Sequence, residues 1–376
     1  MKSSETKKLV SLIKISVYPE QIFGTLDKES LKDKFRVMAR LLHPDTLDTA
    51  SGVTSAEAAE AFSKLNTFNE TAEKRITAGI YGNILALLKP IIVTTKKEVY
   101  TLTEKKPPTD IANVYKGTNK AGDLILLKVA KSGNDNDLIQ NEVTVLKKLR
   151  TDEETKDLGT LQHCPKVVDS FINVSGKLKQ AVAVFEYGET ENWSLHEVHK
   201  RFPDGVPLEH LAWMFNRLLG SLEASHMLNI AHGGIIPSSF VIHPKTHNGI
   251  LTNWDFAVPV GEKLKGLMGG SVYRSFYPPE VFKKEPIDLG LDLFMLAKLF
   301  IFMSGGSVNS NTFPENWEKI QTPTAKEGYR KIKGLMASCL LVKGRRTTNV
   351  AALYTDFRAA LELIFGPPTW REFTMP

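Results

Sequence analysis

Near Val93 the hydrophobic texture of this 376-residue chain changes period, and the switch decides what can form on either side. From about Leu9 to Arg75 apolar residues recur at helical spacing, with no stretch of alternating strand character. Beyond Val93 come β-branched and aromatic runs at Glu98–Leu102, Ile111–Tyr115 and Leu124–Val129. Asp137–Arg150 then reads as a helix and Lys166–Tyr187 as further strands. From Pro207 onward helices dominate. A helical bundle, then strands, then helices predicts an α+β multidomain chain whose second part has a β-rich lobe and a helical lobe. With 42% apolar residues the chain can fill more than one core.

In the first part Leu31, Phe35, Met38, Ala39 and Leu42 form one helical stripe, while Lys32, Lys34, Arg36 and Arg40 fall largely off it and are expected to face water. A second helix is expected after the Gly52–Thr54 turn, with Ser55 as N-cap and Ala58, Phe62, Leu65 and Phe68 on its apolar side. The two should pack antiparallel across a loop. The most apolar stretch, Ile76–Val93, contains Gly79, Gly82, Lys89 and Pro90 and is short for a bilayer, so it is read as a buried connecting helix.

The 48 Lys and Arg against 42 Asp and Glu leave a charge of +6, too little over this surface to imply nucleic acid. Cys164 and Cys339 stand far apart, which suggests neither a disulfide framework nor a zinc site. Met1–Lys8 lacks an apolar signal core, so a cytoplasmic setting is the expectation and no membrane partner is expected. His196 with His199, and His243 with His247, have spacings a metal could use. No Cys or carboxylate is arranged around them, so they are read as surface or turn histidines.

The loop after the basic helix carries His43-Pro44-Asp45, and Phe62, Leu65, Asn66 and Phe68 follow in the next helix. On these residues, residues 1–75 resemble the J-domain family. The resemblance implies docking onto a DnaK-type chaperone through His43, Pro44, Asp45 and the cationic Lys32, Lys34, Arg36 and Arg40, with ATP hydrolysis accelerated in that partner. Cations there would steer toward an acidic surface, and Pro44 would stiffen the loop.

From about Tyr100 the chain resembles the protein-kinase fold, through landmarks in the family's order. Lys128 stands where the third-strand lysine belongs and Glu142 where its helix partner belongs. Phe185–Tyr187 looks like the interlobe hinge and Ser194–Leu195 like the start of the next helix. Tyr277–Glu280 looks like the A-P-E segment, Asp292 like the aspartate of the central helix, and Arg346 like the ion-pair partner of Glu280. The implied arrangement is 76–95 as connecting helix or linker, 96–187 as a kinase-like N-lobe and 188–376 as a helical C-lobe.

The chemistry departs from the family. His232-Gly233-Gly234 replaces His-Arg-Asp, so Gly234 stands at the position of the transfer base. Ser239 stands where Asn would hold a second magnesium ion, and Ile236 replaces the catalytic-loop lysine. A positioned base contributes about 10²–10⁴ in rate, so the resemblance implies a catalytically degenerate pseudokinase. Pro107, Thr109 and Ala112 occupy the glycine positions of the phosphate-covering loop. Asp255 retains the metal-binding aspartate, with Ala257 for glycine. Lys128, Glu142 and Asp255 thus read either as a residual site for ATP and magnesium or as a polar network ordering the lobe interface.

These readings lead to a co-chaperone or adaptor: a J-domain that recruits a DnaK-type chaperone, and a pseudokinase scaffold that binds a protein client. The alternative is an atypical nucleotide-dependent transferase using Lys128, Glu142 and Asp255.

Overall fold

The computed structural model describes residues 2–16, 18–24, 28–43, 52–77, 81, 91–175, 178–188, 192–319 and 322–375. The chain divides into two compact units, Met1–Ile91 and Ile92–Pro376.

The N-terminal unit is helical: α1 (Lys2–Ile15), α2 (Pro19–Phe23), α3 (Lys28–Leu42) and α4 (Ser55–Thr77). Its core gathers Val10, Ile13, Phe23, Leu31, Leu42, Leu65 and Ala72, with Phe35, Met38 and Ala39 partly buried against it. The expected stripe of α3 therefore faces inward, and Lys32, Lys34, Arg36 and Arg40 are exposed. The start of α4 differs from the expectation, because the cap is Thr54 and Ser55 is already helical. Thr54 Oγ1 accepts from Glu57 N (3.2 Å), and Glu57 Oε2 accepts from Thr54 N (3.1 Å), a reciprocal capping box. At the other end of α4 Arg75 donates to both carboxylate oxygens of the buried Glu20 (3.1 and 2.9 Å), pinning α2 to α4.

The C-terminal unit opens with a six-stranded sheet in the order β1-β2-β3-β4-β6-β5. Its strands are β1 (Ile91–Thr94), β2 (Val99–Lys106), β3 (Ala112–Thr118), β4 (Leu124–Ala130), β5 (Val167–Ser175) and β6 (Leu178–Glu186). The registered pairings are antiparallel. Alternation sends Leu127, Val182 and Val184 to one face, with Tyr100, and Ala181 and Ala183 to the other, against α5 (Asn136–Thr151). β1 lies within the stretch read as a connecting helix. Its β-branched Ile91, Ile92 and Val93 suit a strand, and helix α4 ends at Thr77. Residues 78–80 and 82–90 lie outside the described residues.

Helices follow: α6 (Leu195–Arg201), α7 (Leu208–Met227), a short α8 (Pro279–Phe282), α9 (Gly290–Met303), α10 (Pro323–Cys339) and α11 (Val350–Phe365). α9 is apolar all round and buried nearly throughout, the pattern of a helix at the centre of its lobe. Helices dominate from Pro207, as expected, but short strands lie among them: β9 (Phe240–His243) pairs with β10 (Asn248–Leu251) and with β7 (Trp193–Ser194), which precedes Pro207, and β8 (Ile230–Ala231) pairs with β11 (Val258–Pro259). These strands carry too few residues to show a period. His247 lies in the turn between β9 and β10, and both His243, at the end of β9, and His247 are buried, at 3% and 7% exposure. The His247 ring is stacked between Trp213 and Trp370, with centroids 4.4 and 3.7 Å away. No described helix is long and apolar enough to cross a membrane.

Candidate functional site

Three elements of the C-terminal unit converge on one buried cation. β4 supplies Lys128, α5 supplies Glu142, and a 3₁₀ turn at Trp254–Phe256 supplies Asp255. Lys128 Nζ lies 2.6 Å from Glu142 Oε2 and 2.9 Å from Asp255 Oδ1, with Asn253 Oδ1 at 3.3 Å. The three charged residues are at most 5% exposed.

Their ionisation follows from one cation shared by two carboxylates. Burial pushes the Lys128 ammonium down, but the charges of Asp255 and Glu142 outweigh it and the net shift is upward. Burial, then repulsion from Asp255, pushes the Glu142 carboxyl up to about 8 against the opposing pull of Lys128.

α5 is tied to the same turn by its backbone partners. Trp254 N donates to Glu142 Oε1 (3.1 Å), and Asn141 Nδ2 donates to Asp255 O (3.0 Å) and Ala257 O (2.8 Å). Asn253 takes φ 63°, a left-handed conformation that Asn tolerates better than most residues, and this turns Asp255 toward Lys128. Asn141 and Asn253 escaped the sequence reading because neither carries a charge whose spacing would mark it.

Beneath the triad lies the segment His232–Ser239. Asp292 of α9 accepts from His232 N (2.7 Å), Gly233 N (2.9 Å) and His226 Nε2 (3.0 Å). Burial raises the Asp292 carboxyl, but the His226 contact and the neighbouring donors outweigh it and hold it below its ordinary range. Burial pushes the His232 imidazole down. Its Nδ1 accepts from Gly234 N (3.2 Å) and its Nε2 lies 3.0 Å from Thr252 O, the pattern of a neutral ring protonated on Nε2.

Gly234 presents no side chain, and the space over it belongs to Met268: a Cβ built on Gly234 would lie 2.6 Å from Met268 Cε. One residue earlier a Cβ on Gly233 would meet Leu264 Cδ1 at 2.6 Å. Leu264 and Met268 therefore pack directly on Gly233 and Gly234. Ser239 is fully buried and turned inward, its Oγ accepting from Ile236 N (3.0 Å) and donating to Ile236 O (2.8 Å).

The loop joining β2 to β3 offers little to a phosphate. Pro107 and Pro108 have no N–H, Thr109 N is spent on Ala112 O (2.9 Å) and Ala112 N on Thr109 Oγ1 (3.0 Å). Asp110 reaches from it to accept from Gly269 N at 2.5 Å, closing the loop onto the Met268 segment. The Asp255 carboxylate that a magnesium ion would draw on here is already 2.9 Å from Lys128 Nζ. Among the described residues no group of three or more His, Cys, Asp or Glu is arranged for a metal.

The other sequence-derived residues fall into separate places. Arg346 is in direct contact with Glu280 and lies 3.5 Å from Asp288, buried below α9. In the N-terminal unit Lys34 Nζ donates to Phe23 O (2.9 Å), and Arg36 lies 3.8 Å from Asp33. His43 is exposed, with its ring 6.1 Å from that of Phe62. Pro44 and Asp45 lie outside the described residues. No protein-family model matches the chain, and no characterised protein is significantly similar to it.

Proposed function

We propose that the chain is a J-domain-type co-chaperone or adaptor. The N-terminal unit recruits a DnaK-type chaperone, and the C-terminal unit is a pseudokinase-like scaffold that holds a protein client without phosphoryl transfer. The observation that carries the reading is Met268 packed over Gly234, since a side chain fills the place from which a base would act on a bound hydroxyl. The doubly paired Lys128 and the proline-rich loop support it, because an ammonium held between Glu142 and Asp255 is already engaged and turned away from a phosphate. On the N-terminal side the exposed Lys32, Lys34, Arg36 and Arg40, on the helix that ends just before His43, offer a cationic face for an acidic partner. Cytoplasmic residence belongs to the same proposal.

The test is the steady-state ATPase rate of a DnaK-type chaperone with and without the purified chain. Stimulation that disappears in Asp45→Asn is expected, and failure to stimulate any such chaperone overturns the reading. A second reading, a nucleotide-dependent transferase, is favoured by the preserved Lys128–Glu142 contact. Magnesium-dependent ATP binding by calorimetry, abolished by Lys128→Ala and by Asp255→Asn, would keep it in play, and absence of binding overturns it.

A further inference from the structure

Beyond α11 the chain continues as a strap, 366–373, that forms no helix or strand of its own. Side chains hold it down. Phe373 is 5% exposed and lies against the rings of Phe202, His210 and Trp213, with centroids 5.8, 5.1 and 6.1 Å away. Arg371 Nη1 donates to Glu209 Oε2 (2.9 Å), and Trp370 stacks on His247. Glu209, His210 and Trp213 belong to α7 and His247 to the turn between β9 and β10, so two of these contacts are made on imidazoles.

Beneath the strap each imidazole has a nitrogen that nothing satisfies. His210 Nδ1 and His247 Nε2 are closed off from solvent and have no hydrogen-bond partner among the described residues. A neutral ring can leave that nitrogen as a bare acceptor, but an imidazolium carries N–H on both nitrogens and would bury an unmatched donor. The charged groups around His210 are Glu209, whose Oε1 is 3.9 Å from its Nε2, and Arg371 of the strap. Around His247 stand His210 and Arg217 of α7 and the backbone of Arg371, with Arg358 and Glu362 of α11 lining the same cavity of about 130 Å³. Burial is the largest influence on both rings and holds both below the ordinary 6.5. Stacking on indole favours a cation at His247, yet the contact with Trp213 does not depend on the strap, whereas the burial does.

We propose that the strap 366–373 is an acid-released latch: protons taken up by His210 and His247 beneath it set it free. A proton on His210 also brings a cation to Glu209, the carboxylate that holds Arg371, so it weakens two strap contacts together. Docking of the strap is complete above the ordinary histidine value and is lost as the pH falls below it, because only the released form lets both rings charge in water. Each histidine contributes up to about tenfold at one pH unit below that value. Release uncovers Phe202 and Trp213, an aromatic face beside α7. The inference stands apart from the co-chaperone reading, since it uses no residue of the cleft or of the N-terminal unit.

The experiment is electron paramagnetic resonance on the full chain with a nitroxide at Thr374→Cys, an exposed position next to Phe373. Cys164 and Cys339 are buried, so the new thiol takes the label. From about pH 8 to about pH 5.5 a mobile component should grow reversibly, as the docked-to-free ratio falls by up to about a hundredfold. His210→Gln, and His247→Phe, which keeps the stack and cannot charge, should each remove about tenfold of that fall, and the double variant should abolish it. Phe373→Ala supplies the spectrum of the free strap. A wild-type spectrum that stays immobile throughout while Phe373→Ala is mobile overturns the latch. So does a wild-type strap as mobile as Phe373→Ala at the upper pH, or a mobile component that grows equally in the double variant.

Discussion

Met268 and Gly234 share one volume: the thioether methyl lies 2.6 Å from where a Cβ at position 234 would begin, so residue 234 can grow only if Met268 yields. A methionine tip is mobile, and one added methyl should cost little. Gly234→Ala is expected to lower stability by about 1 kcal/mol or less, whereas Gly234→Asp, which drives a carboxylate in beside the thioether, should cost about 1–3 kcal/mol. Met268→Ala should recover part of the second loss. All five tryptophans lie in the C-terminal unit, so urea unfolding followed by their fluorescence reads these changes there. An Asp substitution without cost, or one not rescued by Met268→Ala, contradicts the shared volume.

The buried triad makes the C-terminal unit sensitive to alkali. The Glu142 carboxyl sits at about 8 in the folded chain against an ordinary 4.5, so the folded state keeps a proton that the unfolded state has released. Stability from this group is therefore complete below 4.5 and is lost as the pH rises through about 8. Glu142→Gln cannot ionise and should flatten the decline of the urea midpoint across that window. An unchanged slope in the variant would place the titration elsewhere.

Arg346 lies buried between Glu280 and Asp288, and Gly290 gives it room: a Cβ there would come within 2.7 Å of its Nε. Arg346→Met strands Glu280 without a cation, and a loss of about 3–5 kcal/mol is expected from the uncompensated charge. Adding Glu280→Leu should restore part of it. A double variant no better than the single one would argue against direct coupling.

At the start of α4 the capping box is reinforced by Lys14, whose Nζ lies 2.9 Å from Glu57 Oε1. The hydrogen bond from Lys14, with those from Thr54, holds the Glu57 carboxyl down at about 2, so its contribution is present above the ordinary carboxylate range and disappears as the pH falls through about 2. Thr54→Ala should speed amide hydrogen exchange at Glu57 and Ala58 while leaving the C-terminal end of α4 unchanged. Uniform exchange along the helix would show that the cap does not hold this end.

The sequence by itself determined the elements whose patterns are local. The stripe Leu31–Leu42, the runs that became β2 to β4, and α5 and α7 were legible because periodicity is written residue by residue. So was the lack of a side chain at Gly234. The partners were not legible. That Lys128 is held by Glu142 and Asp255 together, that Met268 lies on Gly234, and that His247 is stacked between two tryptophans depend on residues brought together across 14 to 127 positions of chain. Two-residue strands such as β7 and β8 carry no period to read, and the cap of α4 shifted by one residue because Thr54 and Ser55 are equally good capping types. Tertiary structure decided these points because they turn on which groups share a buried volume and a charge.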